Sequence, residues 1–167
     1  MKKINIADIT LREEGKDNTL SFKQKIEIAR ILDKLNVDVI ETAPITNGRT
    51  DILFLHSIVP IIQNSVLSCP VSVNVEEVKE AYEAIKGAKH PRLHVMIPIS
   101  TVQMEYMLHK KPAAAIELAA EAVKTAKSLT ADVEVSLMDA TRAEKDFMYT
   151  ITKKVIECGA TTITVCD

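Results

Sequence analysis

The chain has 167 residues, 47% hydrophobic and 26% charged, with a formal net charge of −2, the balance of one ordinary globular domain able to bury a sizeable core. Its 21 basic and 23 acidic residues are intermixed, aromatics make up 4% and Trp is absent, which argues against a nucleic-acid surface or a basic patch for anionic membrane. Cys69, Cys158 and Cys166 form no CxxC pair or disulfide framework, and no long apolar leader follows Met1-Lys2-Lys3, so the expected setting is the reducing cytoplasm, with no membrane contact.

In chain order, the first apolar run, Ile4–Thr10, reads as a strand. A helix follows, with Ser21 as N-cap and Gln24 as its capping-box partner. Ile28, Leu32 and Leu35 recur at helical spacing, and Asn36 is a plausible stop. Val37–Ala43 is the second strand. Thr50–Gln63 is the second helix, in which Pro60 demands a kink or an earlier end. Val66–Val73 is the third strand, and Val75–Lys86 is a helix closed by Gly87. After the strand Arg92–Ile99 comes a long helical stretch, Thr101–Leu129, broken into two pieces near Pro112. The strand Asp132–Met138 leads to a helix opening at Thr141 with Glu144 as capping partner. That helix carries Phe147, Ile151 and Val155 on one stripe and closes at Gly159. Thr161–Cys166 is the sixth strand.

Most of these strands are apolar almost throughout, as strands covered on both faces of a parallel sheet should be. Strand–helix alternation of this kind implies right-handed crossovers. An open doubly wound sheet and a closed barrel both use it, and periodicity does not choose between them. No GxGxxG or Walker loop follows the first strand, which weakens a nucleotide-binding Rossmann reading. A full (β/α)8 barrel takes eight units and about 250 residues. Residues 1–167 therefore read as a single partial domain with the first six strand–helix units and without the last two.

In either architecture the site gathers at the carboxyl ends of the strands. There the sequence places Asp8, Thr10, Arg12, Glu13 and Glu14 after strand one, and Glu41 and Thr42 at the end of strand two. His94 lies within strand four and Ser100 at its end. Ser136, Asp139, Thr141 and Arg142 belong to strand five, and Asp167 ends strand six. Carboxylates, a guanidinium and an imidazole suit a divalent cation and an anionic, carbonyl-bearing substrate. Strand ends also collect polar residues simply because they meet water. Arg12 and Glu13 could be an ordinary ion pair, Glu41 the buried partner of Arg12, His94 a hydrogen-bonded core histidine and Ser136 a partner for backbone groups. His56, His90 and His109 fall on helices or loops and are expected to face solvent.

Asp8-Ile9-Thr10-Leu11-Arg12-Glu13 is similar to the D-T-T-L-R-D/E signature that opens the barrel in the 2-isopropylmalate synthase, homocitrate synthase and HMG-CoA lyase superfamily. The likeness continues in register. Val37-Asp38-Val39-Ile40-Glu41 resembles G-V-D-x-I-E, Arg92-Leu93-His94 resembles R-I-H, and Met104-Glu105-Tyr106 matches M-E-Y. Asp132–Ser136 with Asp139–Arg142 resembles D-V-E-F-S-x-E-D-A-x-R, and Gly159–Ile163 matches G-A-T-T-I. The resemblance covers nearly the whole chain and implies an incomplete TIM-type (β/α)8 barrel.

It further implies a metal-dependent Claisen condensation of acetyl-CoA with a 2-keto acid, an acyltransferase reaction. Arg12 would bind the keto-acid carbonyl and stabilise the enolate. Glu13 would be a ligand of a divalent Mg, Mn or Zn ion. Glu41 would support Arg12 or act on substrate, and His94 and Ser136 would line the keto-acid pocket. The lyase or aldolase reversal on the same scaffold is the alternative, as is a non-catalytic barrel fragment that needs a partner.

The departures are specific. The family takes two further metal ligands from an H-x-H pair after a seventh strand, so the ligand set here is incomplete. The expected protein is then a fragment of a longer enzyme, or a homo-oligomer of partial barrels covering each other's edges. Glu14, Gly15 and Lys16 stand where the family has G-E-Q, and Met138 replaces a carboxylate of the strand-five motif. The strand-three Arg of the synthases is replaced near Val73. With its metal shell incomplete, the chain alone is expected to be catalytically silent.

Overall fold

The computed structural model describes residues 4–13 and 20–167. Glu14, Gly15 and Lys16 lie outside the described residues, as does the Met1–Lys3 start. The elements are β1 (Ala7–Asp8), α1 (Phe22–Lys34), β2 (Val39–Glu41), α2 (Arg49–Ile58), β3 (Val66–Val71), α3 (Val75–Ile85) and β4 (Pro91–Pro98). They continue with α4 (Thr101–Gln103, running into a π-helical turn at Met104–Leu108), α5 (Pro112–Leu129), β5 (Asp132–Met138), α6 (Lys145–Glu157) and β6 (Thr162–Val165).

The strands form one sheet in the order β1-β2-β3-β4-β5-β6, and β1–β2, β2–β3 and β5–β6 pair in parallel. An order that never doubles back is that of a barrel. A doubly wound sheet would reverse at a switch point. The fold class is therefore α/β of the TIM (β/α)8 type, incomplete, with six strands.

The chain divides into two compact units, Met1–Pro70 with Glu83–Arg92 and Val71–Tyr82 with Leu93–Asp167. β3 and β4 each begin in the first unit and end in the second.

In the first unit, α1 starts as the sequence predicts. The Ser21 side chain accepts from the Gln24 amide, and the Gln24 side chain accepts from the Ser21 amide at 2.8 Å. The helix ends where Asn36 takes a left-handed conformation (φ 55°). Asp33, buried in its last turn, accepts the backbone N–H groups of Gln63, Asn64 and Ser65 at 3.1, 2.8 and 2.9 Å. That carboxylate ties the helix to the segment entering β3. Burial alone would raise its pKa, but the amide donors outweigh burial and hold it below the usual value.

β1 is shorter than the predicted Ile4–Thr10, and Ile4, Ile6 and Ile9 are exposed. The cause is local. The Asp38 carboxylate takes the Ile6 amide, Asp8 takes the Thr10 amide, and the backbone then turns, with the Arg12 and Glu13 amides donating to the Ile9 carbonyl. β2 is likewise confined to three of the seven predicted residues. α2 ends at Ile58 rather than Gln63, and Pro60 sits in the turn that follows, so Pro60 brings an earlier end and not a kink.

In the second unit, the predicted break at Pro112 is present. The π-helical turn ends at His109 in a left-handed conformation (φ 52°), and Pro112 opens α5 in the first turn, where its missing N–H costs nothing. Ala115, Ala119, Ala122 and Ala126 form a buried small-residue stripe on α5. β5 spans the predicted residues.

α6 begins at Lys145 with Glu144 as N-cap, not at Thr141. A 3-10 turn, Ala140–Arg142, takes the expected first turn of helix, because Asp139 is left-handed (φ 58°) and its carboxylate holds Arg142. Gly159 closes α6 at φ 111°, which few residues other than glycine adopt. No helix among the described residues is long and apolar enough to cross a membrane.

Candidate functional site

In the first unit the candidate residues converge at the ends of β1 and β2. The turn after β1 carries Arg12, whose Nη1 donates to Glu41 Oε1 at 2.6 Å and whose Nε lies 3.3 Å from Glu13 Oε1. Glu41 and Ser68 are register partners of β2 and β3, which places their side chains on one face. Ser68 Oγ donates to Glu41 Oε2 at 3.3 Å. Arg12, Glu13 and Glu41 therefore form one cluster: a guanidinium flanked by a buried carboxylate (6% exposed) and an exposed one (63%). Arg12 keeps 30% exposure, so its fork still meets solvent. Next to Ser68, burial pushes the Cys69 thiol up to about 12, which keeps it protonated and unreactive.

In the second unit, His94 on β4 and Ser136 on β5 meet, with Nε2 and Oγ 2.6 Å apart. Glu134 Oε1 lies 3.7 Å from the same Nε2 and accepts from Thr164 Oγ1 of β6 at 2.5 Å. Strand alternation explains the grouping. Glu134 and Ser136 share one face of β5, while Val133, Val135 and Leu137 fill the other as core. The sequence reading did not single out Glu134 as a site residue. Its period-two relation to Ser136 was the available signal.

A second polar group sits at the tips of β4, β5 and β6. Ser100 Oγ donates to Asp139 Oδ2, and Arg142 donates through Nε and Nη2 to the two Asp139 oxygens at 2.7 Å each. Ser100 also caps α4, accepting from the Gln103 amide. Thr141 donates to Asp167. The Arg142 bonds, and then the Ser100 bond, hold the Asp139 carboxyl below its ordinary value, and Asp139 in turn raises Arg142.

Glu41 is thus the buried partner of Arg12, and His94 is a buried, hydrogen-bonded histidine. Both facts match the plainer readings and leave a chemical role open. His56, His90 and His109 are exposed, as expected. Glu13 suits a hard divalent cation as an exposed carboxylate. His94 and Glu134 carry ligating atom types too, with Nε2 and Oε1 3.7 Å apart.

A family model described as HMGL-like matches residues 3–167. The chain is 38% identical over 169 residues to a 2-isopropylmalate synthase of Lysinibacillus sphaericus, covering 100% of this chain and 33% of that protein. It is 39% identical over 168 residues to a 2-isopropylmalate synthase of Neisseria meningitidis, covering 99% of this chain and 32% of the relative. The chain therefore spans about a third of the length of the curated relatives it matches. The crystal structure of the HMG-CoA lyase from Brucella melitensis superposes with a TM-score of 0.76 at 14% identity, covering 100% of this chain and 62% of that one. At that identity the likeness concerns the fold alone.

Proposed function

The chain belongs to the HMGL-like family, and from that premise we propose that it is the Arg12- and Glu13-bearing part of the barrel of a 2-isopropylmalate synthase or homocitrate synthase type acyltransferase. The reaction is condensation of acetyl-CoA with a 2-keto acid. The observation that carries this reading is the Arg12–Glu41 pair at 2.6 Å with Glu13 beside it. It supports a guanidinium fixed in one orientation at the end of β1. The relatives at 37–39% identity that bear the name 2-isopropylmalate synthase favour condensation over cleavage.

In this reading Glu41 orients Arg12, and Ser68 restrains Glu41. The Arg12 fork binds the keto-acid oxygen and stabilises the enolate of the acetyl donor, since donors fixed beforehand cost no reorganisation as charge develops. His94 and Ser136 bind the keto acid. Glu13 supplies one ligand to a divalent Mg, Mn or Zn ion, and when bound that ion polarises the keto-acid carbonyl as a Lewis acid. The remaining ligands and barrel strands come from a further segment or from a partner chain. The protein works in the cytoplasm, in keeping with cysteines that form no disulfide framework.

The test supplies the remaining strands of the barrel and incubates the protein with acetyl-CoA, Mg²⁺ or Mn²⁺ and a panel of 2-keto acids. Free CoA is the expected product. Cleavage of hydroxymethylglutaryl-CoA instead, or no CoA release with any acid and metal, overturns the assignment.

A further inference from the structure

Met104-Glu105-Tyr106 takes no part in the polar clusters of the strands, and two of its residues line a cavity instead. Within the second unit a hollow of about 450 Å³ opens between α4 and α5, lined by Met104, Glu105, His109, Lys110 and Lys111. That volume is in the range of small-ligand sites. Met104 is buried and supplies an apolar wall, whereas the other four are exposed. Among the described residues, none of those four side chains has a hydrogen bond or an ion pair. Lysines elsewhere on the surface close on a neighbouring glutamate, as Lys79 does on Glu76 and Lys86 on Glu83.

Both walls of the cavity are fixed from within the fold. Ser100 caps α4 by accepting from the Gln103 amide and donates to Asp139, which Arg142 holds with two bonds. The Met104 amide donates to the Ser100 carbonyl at 2.9 Å, and the Lys110 amide closes the π-helical turn on the Met104 carbonyl at 3.3 Å. His109, at φ 52°, redirects the chain there, and buried Ala115 and Ala119 anchor α5. The backbone that presents the charged groups is therefore already in place, which lowers the ordering cost of binding.

Two adjacent ammonium groups, each with three donors, attract phosphate oxygens. Glu105 argues against a bare inorganic anion. An ionised carboxylate only accepts, so it repels phosphate but receives hydroxyl or amino protons. The His109 ring offers a flat face of the kind on which nucleobases stack. We propose that this cavity binds a phosphorylated nucleoside, with its phosphates on Lys110 and Lys111, its sugar hydroxyls or base amino group on Glu105 and its base against His109. The adenosine end of an acyl-CoA and a free nucleotide share that chemistry. That acetyl-CoA brings it rests on the acyltransferase reading; the site itself does not, since nucleotide binding needs neither metal, keto acid nor turnover.

The test titrates the 167-residue chain at low salt with adenosine 3′,5′-bisphosphate, 5′-ADP, CoA, adenosine and inorganic phosphate, read by calorimetry and amide NMR. Saturable nucleotide binding is expected, with shifts concentrated at residues 101–112 and roughly tenfold weaker binding of adenosine and of phosphate alone. Tightest binding by CoA and the 3′,5′-bisphosphate identifies acyl-CoA as the source; tightest binding by 5′-ADP identifies a free nucleotide. Lys110→Gln with Lys111→Gln should weaken nucleotide binding by roughly tenfold or more. Lys153→Gln with Lys154→Gln, the same charge change on α6, should leave it unchanged. Glu105→Gln should weaken nucleotide binding and spare phosphate. Equal losses in the two lysine pairs, phosphate bound as tightly as nucleotide, shifts centred elsewhere, or tighter nucleotide binding in Glu105→Gln would each overturn the proposal. The NMR map of the wild type decides on its own should a variant not fold. Absence of CoA release from the completed barrel, with nucleotide binding intact, counts against the acyltransferase reading and not against this site.

Discussion

Two residues carry the clearest energetic predictions. Glu41 is buried and accepts from Arg12 at 2.6 Å, so Arg12→Ala takes a charge partner from a buried carboxylate. We expect a loss of about 1–3 kcal/mol in urea unfolding, reduced when Glu41→Gln is added, because no charge then remains buried. Additive losses from the two substitutions would show that the pair does not act as a unit. Asp33 gives a pH prediction. Its folded pKa is depressed below the ordinary 3.8, so its contribution is complete above that value and is lost as the pH falls through it toward the folded value. Asp33→Asn should cost roughly 1–3 kcal/mol near neutrality. The gap to wild type should narrow below about pH 4, read from urea midpoints at a series of pH values.

At the scale of elements, the glycines separate conformational demand from simple proximity. Gly159 sits at φ 111°, and a Cβ there would come within 2.6 Å of the Lys127 side chain. Gly159→Ala is therefore expected to cost about 1–2 kcal/mol, chiefly through the backbone. Gly87 has no such conformation, and its Cβ would meet Val59 at 3.2 Å. Gly87→Ala should fall within about 0.5 kcal/mol of wild type. Equal thermal shifts for the two would contradict this.

The same scale shows what the sequence makes legible. Strands buried on both faces announce themselves as apolar runs, and caps such as Ser21–Gln24 are local, so β5, the start of α1 and the break at Pro112 fall where sequence spacing places them. The errors arise where a distant or competing side chain takes over. Asp8 and Asp38 cut β1 short, and the Asp139–Arg142 pair turns the chain into a 3-10 turn ahead of α6. Glu134, Ser68 and Asp33 escape notice because their partners lie 27–32 positions away, and no motif of a few residues encodes them. The Arg12–Glu41 pair is foreseeable only through the resemblance, since 29 positions separate the two.

For the whole molecule, the expectation is a chain that carries part of a site and lacks activity alone. Isolated, it should release no CoA from acetyl-CoA and a 2-keto acid, and should bind Mg²⁺ or Mn²⁺ no more tightly than millimolar, since one exposed carboxylate is a poor cage for a hard cation. Stoichiometric micromolar binding by calorimetry would refute this. The strand order has a consequence of its own. The β1–β2, β2–β3 and β5–β6 pairings each join neighbours in the chain, across a separation of roughly thirty residues. A growing polypeptide can therefore lay each strand beside the one made just before it, without waiting for its far end. Assembly is free to keep pace with translation, and partly synthesised chains arrested on the ribosome should already shield successive strands from protease in the order of their manufacture.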